Sequence, residues 1–466
     1  MALIGRVKGP GPSRHSFSVV AFDQHTALDS GEFVTCPIAG RPVLARLVER
    51  RPLRPYPDSF LTAPELEPQH IAAAVGYSEL QPPPVELVAE LIGAFDPALQ
   101  DFINPRRLPE VGAPVSLAGH DQLSRLLNRR QPGQPGAAHL GWLLSREPGA
   151  VPVVLDVAAL TSTHLAIIAS TGAGKSYLAG VLVEELLGPH NRAAILLLDP
   201  HGEYGSLAAL TGQPHQPEVA VHQPGSLKIR TGSLSLADLR YLLPDLSERM
   251  EYVLGQAYRQ CRRGDGWSLA GLRQAIAAMA EPEAGKKSSS YRETANALLW
   301  RLNAVFEDTL LFDDHAPLQL RELVRPGQAT ILQLNDIQRR QQQVLVAALL
   351  RQLYRARLQT TQRTISSRSP LYLPYPVFVL IEEAHHFAPA GEEVVSGGIL
   401  KQILGEGRKF GLGVGLISQR PGKLAADVLS QCNTTCLLRI INPVDQQKVR
   451  ESVESVGQEL LRELPA

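Results

Sequence analysis

Between His164 and Leu187 the chain changes character twice within a few residues, and that change limits what it can fold into. Leu165 to Ala169 is an unbroken apolar run, the pattern of a strand buried on both faces. Small residues follow, Ser170-Thr171-Gly172-Ala173-Gly174, then Lys175-Ser176-Tyr177 and an apolar helical repeat through Leu178, Val181, Leu182 and Leu186. A strand, a glycine-rich turn and a helix in this order present backbone N–H groups and a helix N-terminus to an anion lying in the turn. This is the phosphate-binding loop pattern, in which the lysine reaches the β and γ phosphates and the hydroxyl after it holds Mg2+. The expected nucleotide-binding residues are therefore Thr171, Gly172, Ala173, Gly174, Lys175, Ser176 and Tyr177, with Ser176 also on the metal. Ala169 stands where the pattern opens on glycine, a replacement the backbone accepts if φ there is negative.

Further apolar runs end in polar residues. Val377-Phe378-Val379-Leu380-Ile381 runs into Glu382-Glu383-Ala384-His385-His386, a strand delivering acids downstream of a phosphate loop. In that arrangement one carboxylate organises the Mg2+ shell and the next takes a proton from the attacking water or orients it. Neighbours within a strand point to opposite faces, so the two glutamates share a task only where the strand has ended. A run to Leu198 ends in Asp199-Pro200-His201-Gly202-Glu203-Tyr204, which fits a parallel sheet binding its ligand outside the carboxyl ends of its strands, or a plain turn cap by Asp199. Another run ends in Gln419, placed to sense a γ-phosphate. Arg408 follows a helix and precedes a glycine, a placement suited to reaching a neighbouring subunit or to a favourable charge at a helix C-terminus.

The remaining sequence suggests two domains, 1–155 and 156–466. Short β-prone stretches at 16–22, 31–38 and 43–48, separated by turn formers, predict a small N-terminal β-barrel. Helical patterns are expected near 71–74 and 85–95, a returning strand around 107–116, and the last barrel strands at 139–144 and 151–157. The fold class expected is α/β, the second domain carrying a helical insertion over about 235–325 in which Ser235 caps the first helix and 281–290 is a solvated loop. Asp336 is expected to cap a helix running to about Leu358, 388–398 to be a mobile loop, and 436–441 a strand.

Lys+Arg and Asp+Glu are equal at 46 each, so contact with nucleic acid requires a local basic patch; in a DNA motor that patch would line the pore, with Arg420 and Lys423 as candidate pore residues. Of the basic residues 37 are Arg, a bias that suits phosphate and interface recognition and equally a GC-rich genome. The N-terminus lacks the apolar core of a signal peptide and no apolar run approaches membrane-spanning length, so a cytoplasmic protein without a membrane anchor is expected. Cys36, Cys261, Cys432 and Cys436 form no C-x-x-C pair and read as buried free thiols in place of zinc ligands.

Thr171-Gly-Ala-Gly-Lys-Ser176, Asp199-Pro-His-Gly-Glu-Tyr204, Ile381-Glu-Glu-Ala-His385, Glu406-Gly-Arg-Lys-Phe-Gly411, Ile417-Ser-Gln-Arg-Pro421 and Leu438-Arg-Ile-Ile-Asn-Pro443, in this order, resemble the HerA family of the FtsK–HerA superfamily. The resemblance covers the chain from about residue 156 and, more loosely, an N-terminal barrel like the family's HAS-barrel. It implies a RecA-like P-loop ATPase core using ATP and Mg2+, a homohexamer translocating on DNA through a central pore, and partnership with a NurA-type nuclease at double-strand breaks. It also implies Glu383 as the catalytic carboxylate, Glu382 as the metal-side acid, Asp199 as the acid after the second strand, and Arg408 as the arginine supplied to the adjacent subunit. Ala169 departs from the family's glycine, and relatives usually continue beyond the point corresponding to Ala466. The alternatives are a nucleotide-dependent scaffold that recruits a nuclease without moving, and an FtsK-like membrane-anchored DNA pump, against which the lack of spanning segments counts.

Overall fold

A computed structural model describes residues 2–22, 28, 30–53, 85–96, 98–99, 101–212, 217–243, 245–263, 268–280, 289–307, 311–314 and 319–453. The chain divides into two compact units, Met1–Gln131 with Gly141–Val154 and Pro132–Leu140 with Leu155–Ala466.

In the first unit the strands are β1 (Leu3–Pro10), β2 (Ser16–Ala21), β3 (Phe33–Ile38), β4 (Arg41–Pro52), β5 (Val85–Asp96), β6 (Asp101–Ile103) and β7 (Pro114–Leu117). Their order is β2-β1-β7-β3-β4-β5-β6, and an additional antiparallel β2–β5 pairing closes a six-stranded barrel with β6 appended to β5. The helical pattern expected at 85–95 is therefore wrong: this stretch is β5. Val85, Leu87 and Ala89 alternate into a core with Phe17, Val19 and Val34, while Glu86 between them meets Lys8 at 2.7 Å. Pairing with strands on both sides decides the conformation where apolar spacing alone was ambiguous. Strands β8 (Ala137–Trp142) and β9 (Pro152–Asp156) form a two-stranded sheet of their own and not the last strands of the barrel. The helical pattern at 71–74 lies outside the described residues.

The second unit is built on one parallel sheet, ordered β12-β13-β11-β14-β15-β10-β16. Its strands are β10 (Leu165–Ile168), β11 (Ala194–Asp199), β12 (Glu218–His222), β13 (Gln328–Gln333), β14 (Val377–Ile381), β15 (Leu412–Ser418) and β16 (Thr434–Leu437). Strand β12 left no sequence signal that was read, and β16 is shorter and earlier than 436–441. Because successive strand residues face opposite ways, each central strand feeds two cores. Ala166, Ile168, Leu196, Leu198, Val379 and Ile381 pack on one face against the helix Arg339–Thr361 and the inserted helices. Leu165, Ile167, Ile195, Leu197, Phe378 and Leu380 pack on the other with Ala179, Leu182, Val183 and Leu186 of the helix Lys175–Leu187. All four residues of β10 are 0% exposed, and Leu165, Ile167 and Ile168 each contribute roughly 1.5–3 kcal/mol if fully transferred from water. This α/β core with a helical insertion behind a small barrel is the fold class expected.

The insertion between β12 and β13 contains helices Leu236–Leu242, Glu248–Arg262, Leu269–Ala280, Ser289–Glu307 and Leu320–Leu323. Ser235 opens it with a reciprocal capping box to Asp238, satisfying backbone donors a helix start otherwise leaves free. The 281–290 loop falls mostly outside the described residues. Asp336 is not a cap: Gln338 occupies that position without a side-chain bond, and Gln342 instead donates to the Leu334 and Ile337 carbonyls. Nor is 388–398 a free loop. Phe387 and Ala388 are buried, Ala390 N–H and Ala425 N–H tie the segment to the 423–425 backbone, and a helix already starts at Val395. Cys36, Cys261, Cys432 and Cys436 are free thiols, and burial pushes those of Cys36 and Cys436 up to about 11 and that of Cys432 to about 12. Among the described residues no helix is long and apolar enough to cross a membrane.

Candidate active site

The phosphate loop leaves β10 at the carboxyl edge of the sheet. Its turn needs φ of +74° at Gly172 and +91° at Gly174, values only glycine adopts without strain, whereas Ala169 is not among the positive-φ residues and so fits its place. Ser170 N–H donates to the Arg439 carbonyl at 2.8 Å and Ala173 N–H to Ser170 at 3.1 Å, which fixes the loop before any ligand enters. Thr171 Oγ1 donates to Gln419 Oε1 at 2.7 Å, joining the loop to the end of β15. Tyr177 points outward, 79% exposed.

Lys175 is buried at the start of its helix and is held by both glutamates that follow β14, with Nζ 2.7 Å from Glu382 Oε1 and 3.0 Å from Glu383 Oε1. Two consecutive residues reach one ammonium because the strand ends at Ile381 and Glu383 takes a left-handed conformation, φ 47° and ψ 47°, before a short 3-10 turn. That backbone state is unfavourable for a side chain with a Cβ, by about 1 kcal/mol or more, and the surrounding contacts hold it. Glu383 Oε2 faces His385 Nδ1 at 3.1 Å, and His385 Nδ1 lies 3.2 Å from the Ser418 hydroxyl on β15. Burial disfavours the Lys175 charge, but the two carboxylates outweigh it and raise its pKa. Burial likewise works against the Glu383 charge, yet His385 and Lys175 together hold the carboxyl down at about 2. For Glu382 burial wins and raises the pKa.

A divalent cation fits these residues. Glu382 Oε2 is buried without a hydrogen-bond partner, and two buried carboxylates share a single lysine that a phosphate would draw away. Ser176 and Glu382 are the residues that would hold it. Asp199 sits differently: both its oxygens are taken up by the backbone N–H groups of His201, Gly202, Glu203 and Tyr204, at 2.8 to 3.3 Å. It is Glu203, passed over in the sequence, that reaches the loop, its Oε2 2.5 Å from Ser176 Oγ. His385 and Ser418 were also missed. Glu203 and His385 stood inside motifs already singled out, four residues beyond Asp199 and two beyond Glu383, and only their partners were hidden.

Arg408 lies at the opposite edge of the sheet. Strands β10 and β15 run parallel with Ile168 beside Ser418, so the phosphate loop follows their carboxyl ends while Arg408 precedes the start of β15. The strand between is about 20 Å long at ~3.3 Å per residue. The turn Gly407–Phe410 is nevertheless firmly built: buried Arg357 donates to the Phe410 carbonyl at 2.7 Å and to that of Leu373, and Tyr354 donates to Glu406 at 2.6 Å. Arg408 and Lys409 are exposed on it. Arg420 and Lys423 are exposed on the phosphate-loop edge, around the turn Pro421–Lys423.

Residues 138–353 match the family described as Helicase HerA, central domain. A Pyrococcus furiosus protein named DNA double-strand break repair helicase HerA is 28% identical over 77% of this chain and 70% of its own length. The middle of the chain is thus similar to the HerA central domain. A second HerA relative, from Methanocaldococcus jannaschii and named a probable DNA double-strand break repair helicase, is 27% identical over 71% of this chain and 72% of itself. Among solved structures, VirB4 of Thermoanaerobacter pseudethanolicus is 17% identical, covers 70% of this chain and 89% of that one, and superposes with a TM-score of 0.48.

Proposed function

We propose that this chain is a HerA-type ATPase that hydrolyses ATP between the phosphate loop and Glu383 and couples the reaction to movement along DNA. The observation that carries the reading is the Lys175 ammonium shared by Glu382 and Glu383 beside Ser176, all at one sheet edge. When triphosphate enters, Lys175 turns from the carboxylates to the β and γ phosphates, and Glu383 is released from it while His385 still orients the other oxygen. Bound Mg2+ supplies the charge that draws electron density from the transferring phosphoryl group. A water oxygen then bonds to the γ phosphorus, the bond to the β–γ bridging oxygen breaks, and Glu383 takes the water's proton. Thr171 and Gln419 link the loop to β15, a route by which loss of the γ-phosphate reaches the neighbouring strand.

The assembly in this reading is a ring of six in the cytoplasm. Arg408 completes the next subunit's site, exposed basic residues such as Arg420 and Lys423 line the DNA path, and the barrel at 1–155 is the docking face for a NurA-type nuclease acting on broken duplex ends. The relatives' names as double-strand break repair helicases support the DNA substrate. The test is ATP turnover with and without linear duplex DNA, alongside native mass. DNA should stimulate turnover several-fold in a hexamer. Turnover indifferent to DNA in a protein that still binds the nuclease would replace the motor with a scaffold.

A further inference from the structure

The contact between Glu203 and Ser176 has no part in the reaction as described so far, and the way it is built argues that it does something there. Asp199, 0% exposed, draws four successive backbone N–H groups onto its carboxylate and so fixes the turn that carries Glu203. Gly202 in that turn has φ +75°, a conformation that favours glycine. The next residue, Tyr204, is 2% exposed and anchors the far side. From this frame an exposed carboxylate is aimed at one atom, Ser176 Oγ, at 2.5 Å.

A serine hydroxyl has one hydrogen and two lone pairs. Left alone beside a phosphate or a neighbouring carboxylate, it can turn its hydrogen toward the position a cation would occupy. When the hydrogen is given to Glu203, both lone pairs are left free for a cation, and the negative charge behind the O–H makes the oxygen a better donor to a metal. We propose that Glu203 is a positioning residue for the nucleotide-bound divalent cation, acting through the Ser176 hydroxyl. The proposal rests on the reading of this edge as a metal–nucleotide site.

The experiment uses the full chain and a fluorescent ADP derivative, with dissociation constants measured in excess Mg2+ and in EDTA. Wild type should bind more tightly with Mg2+ than without. Glu203→Ala should lose about 10- to 100-fold of affinity in Mg2+, the usual effect of removing a group that orients a metal ligand, while its affinity in EDTA stays within about twofold of wild type. Glu203→Gln keeps an acceptor oxygen without the charge and should fall between the two. Because Glu203 is argued to act through the hydroxyl, Ser176→Ala combined with Glu203→Ala should bind no more weakly in Mg2+ than Ser176→Ala alone. An equal loss of affinity in Mg2+ and EDTA would make Glu203 a brace of the loop, no loss in either would leave it without a role, and additive losses in the double variant would remove Ser176 as its route. Each of these overturns the proposal while leaving nucleotide binding intact. Wild-type protein that binds no nucleotide under either condition would instead overturn the metal–nucleotide reading, and this proposal with it.

Discussion

Glu382 and Glu383 follow one another in the chain yet face the same ammonium, and the left-handed backbone at Glu383 is what allows it. Their surroundings then differ. Both are buried and each has one oxygen without a hydrogen bond, but only that of Glu383 has an imidazole beside it, His385 Nδ1 at 3.1 Å, and its carboxyl is held at about 2, whereas burial raises that of Glu382. This division fits Glu382 to a cation and Glu383 to water. Glu383→Gln is isosteric but cannot take a proton, so it should bind ATP with near wild-type affinity and turn over roughly 10²- to 10⁴-fold more slowly. Equilibrium nucleotide binding and steady-state phosphate release on the same preparation check this. If Glu382→Gln gives that pattern and Glu383→Gln remains active, the two roles are reversed.

At the scale of elements, His164 is the joint where several pieces meet. It has φ 59° immediately before β10 and is 2% exposed; its Nδ1 accepts from Val414 N–H at 3.1 Å and its Nε2 lies 3.0 Å from the Leu404 carbonyl. The ring is therefore neutral with its proton on Nε2, and it ties β10 to β15 and to the helix Val395–Glu406, which leads into the Arg408 turn. Burial lowers its pKa, against the Leu404 bond that favours the proton and with the help of the Arg408 charge. In the unfolded chain the imidazole titrates near 6.5, so as pH falls the unfolded state takes up the proton first. The contribution of His164 is complete above about pH 6.5 and is lost progressively below it, down to the lower folded value. Urea unfolding between pH 7.5 and 5.5 should show wild type losing more stability than His164→Gln over that interval. Parallel curves would mean that the ring's neutrality does not matter to the joint.

For the whole molecule the decisive fact is that Arg408 and the phosphate loop occupy opposite edges of one sheet. Within one chain the sheet keeps them apart, so the proposed role of Arg408 requires a neighbouring subunit, which head-to-tail contacts in a ring would supply. Arg408→Ala should keep ATP binding and oligomer size while losing hydrolysis by on the order of 10³-fold. Lys175→Ala chains retain Arg408, and Arg408→Ala chains retain an intact loop. Rings co-assembled from the two inactive variants, verified by native mass, should therefore regain turnover wherever a good arginine faces a good loop. Mixed rings with no recovery, alongside an Arg408→Ala protein of normal rate, would make Arg408 a surface charge.

Much of this could be read along the chain because the relevant chemistry is local. A glycine-rich turn after four buried apolar residues dictates its own backbone, runs such as Val377 to Ile381 can be little other than interior strands of a parallel sheet, and Ser235 with Asp238 writes its own helix start. What the tertiary structure alone decided are the pairings between distant residues: Lys175 with Glu383 across 208 positions, Thr171 with Gln419 across 248, Ser176 with Glu203 across 27. The same holds for conformation. Segment 85–95 became a strand because a barrel had an edge to close, and the segment after Phe387 lost its freedom to hydrogen bonds with Lys423 and Ala425. Apolar spacing and propensity bias each segment by fractions of a kcal/mol per residue, whereas a partner strand or a buried opposite charge is worth more, and its position depends on topology and not on the neighbouring sequence.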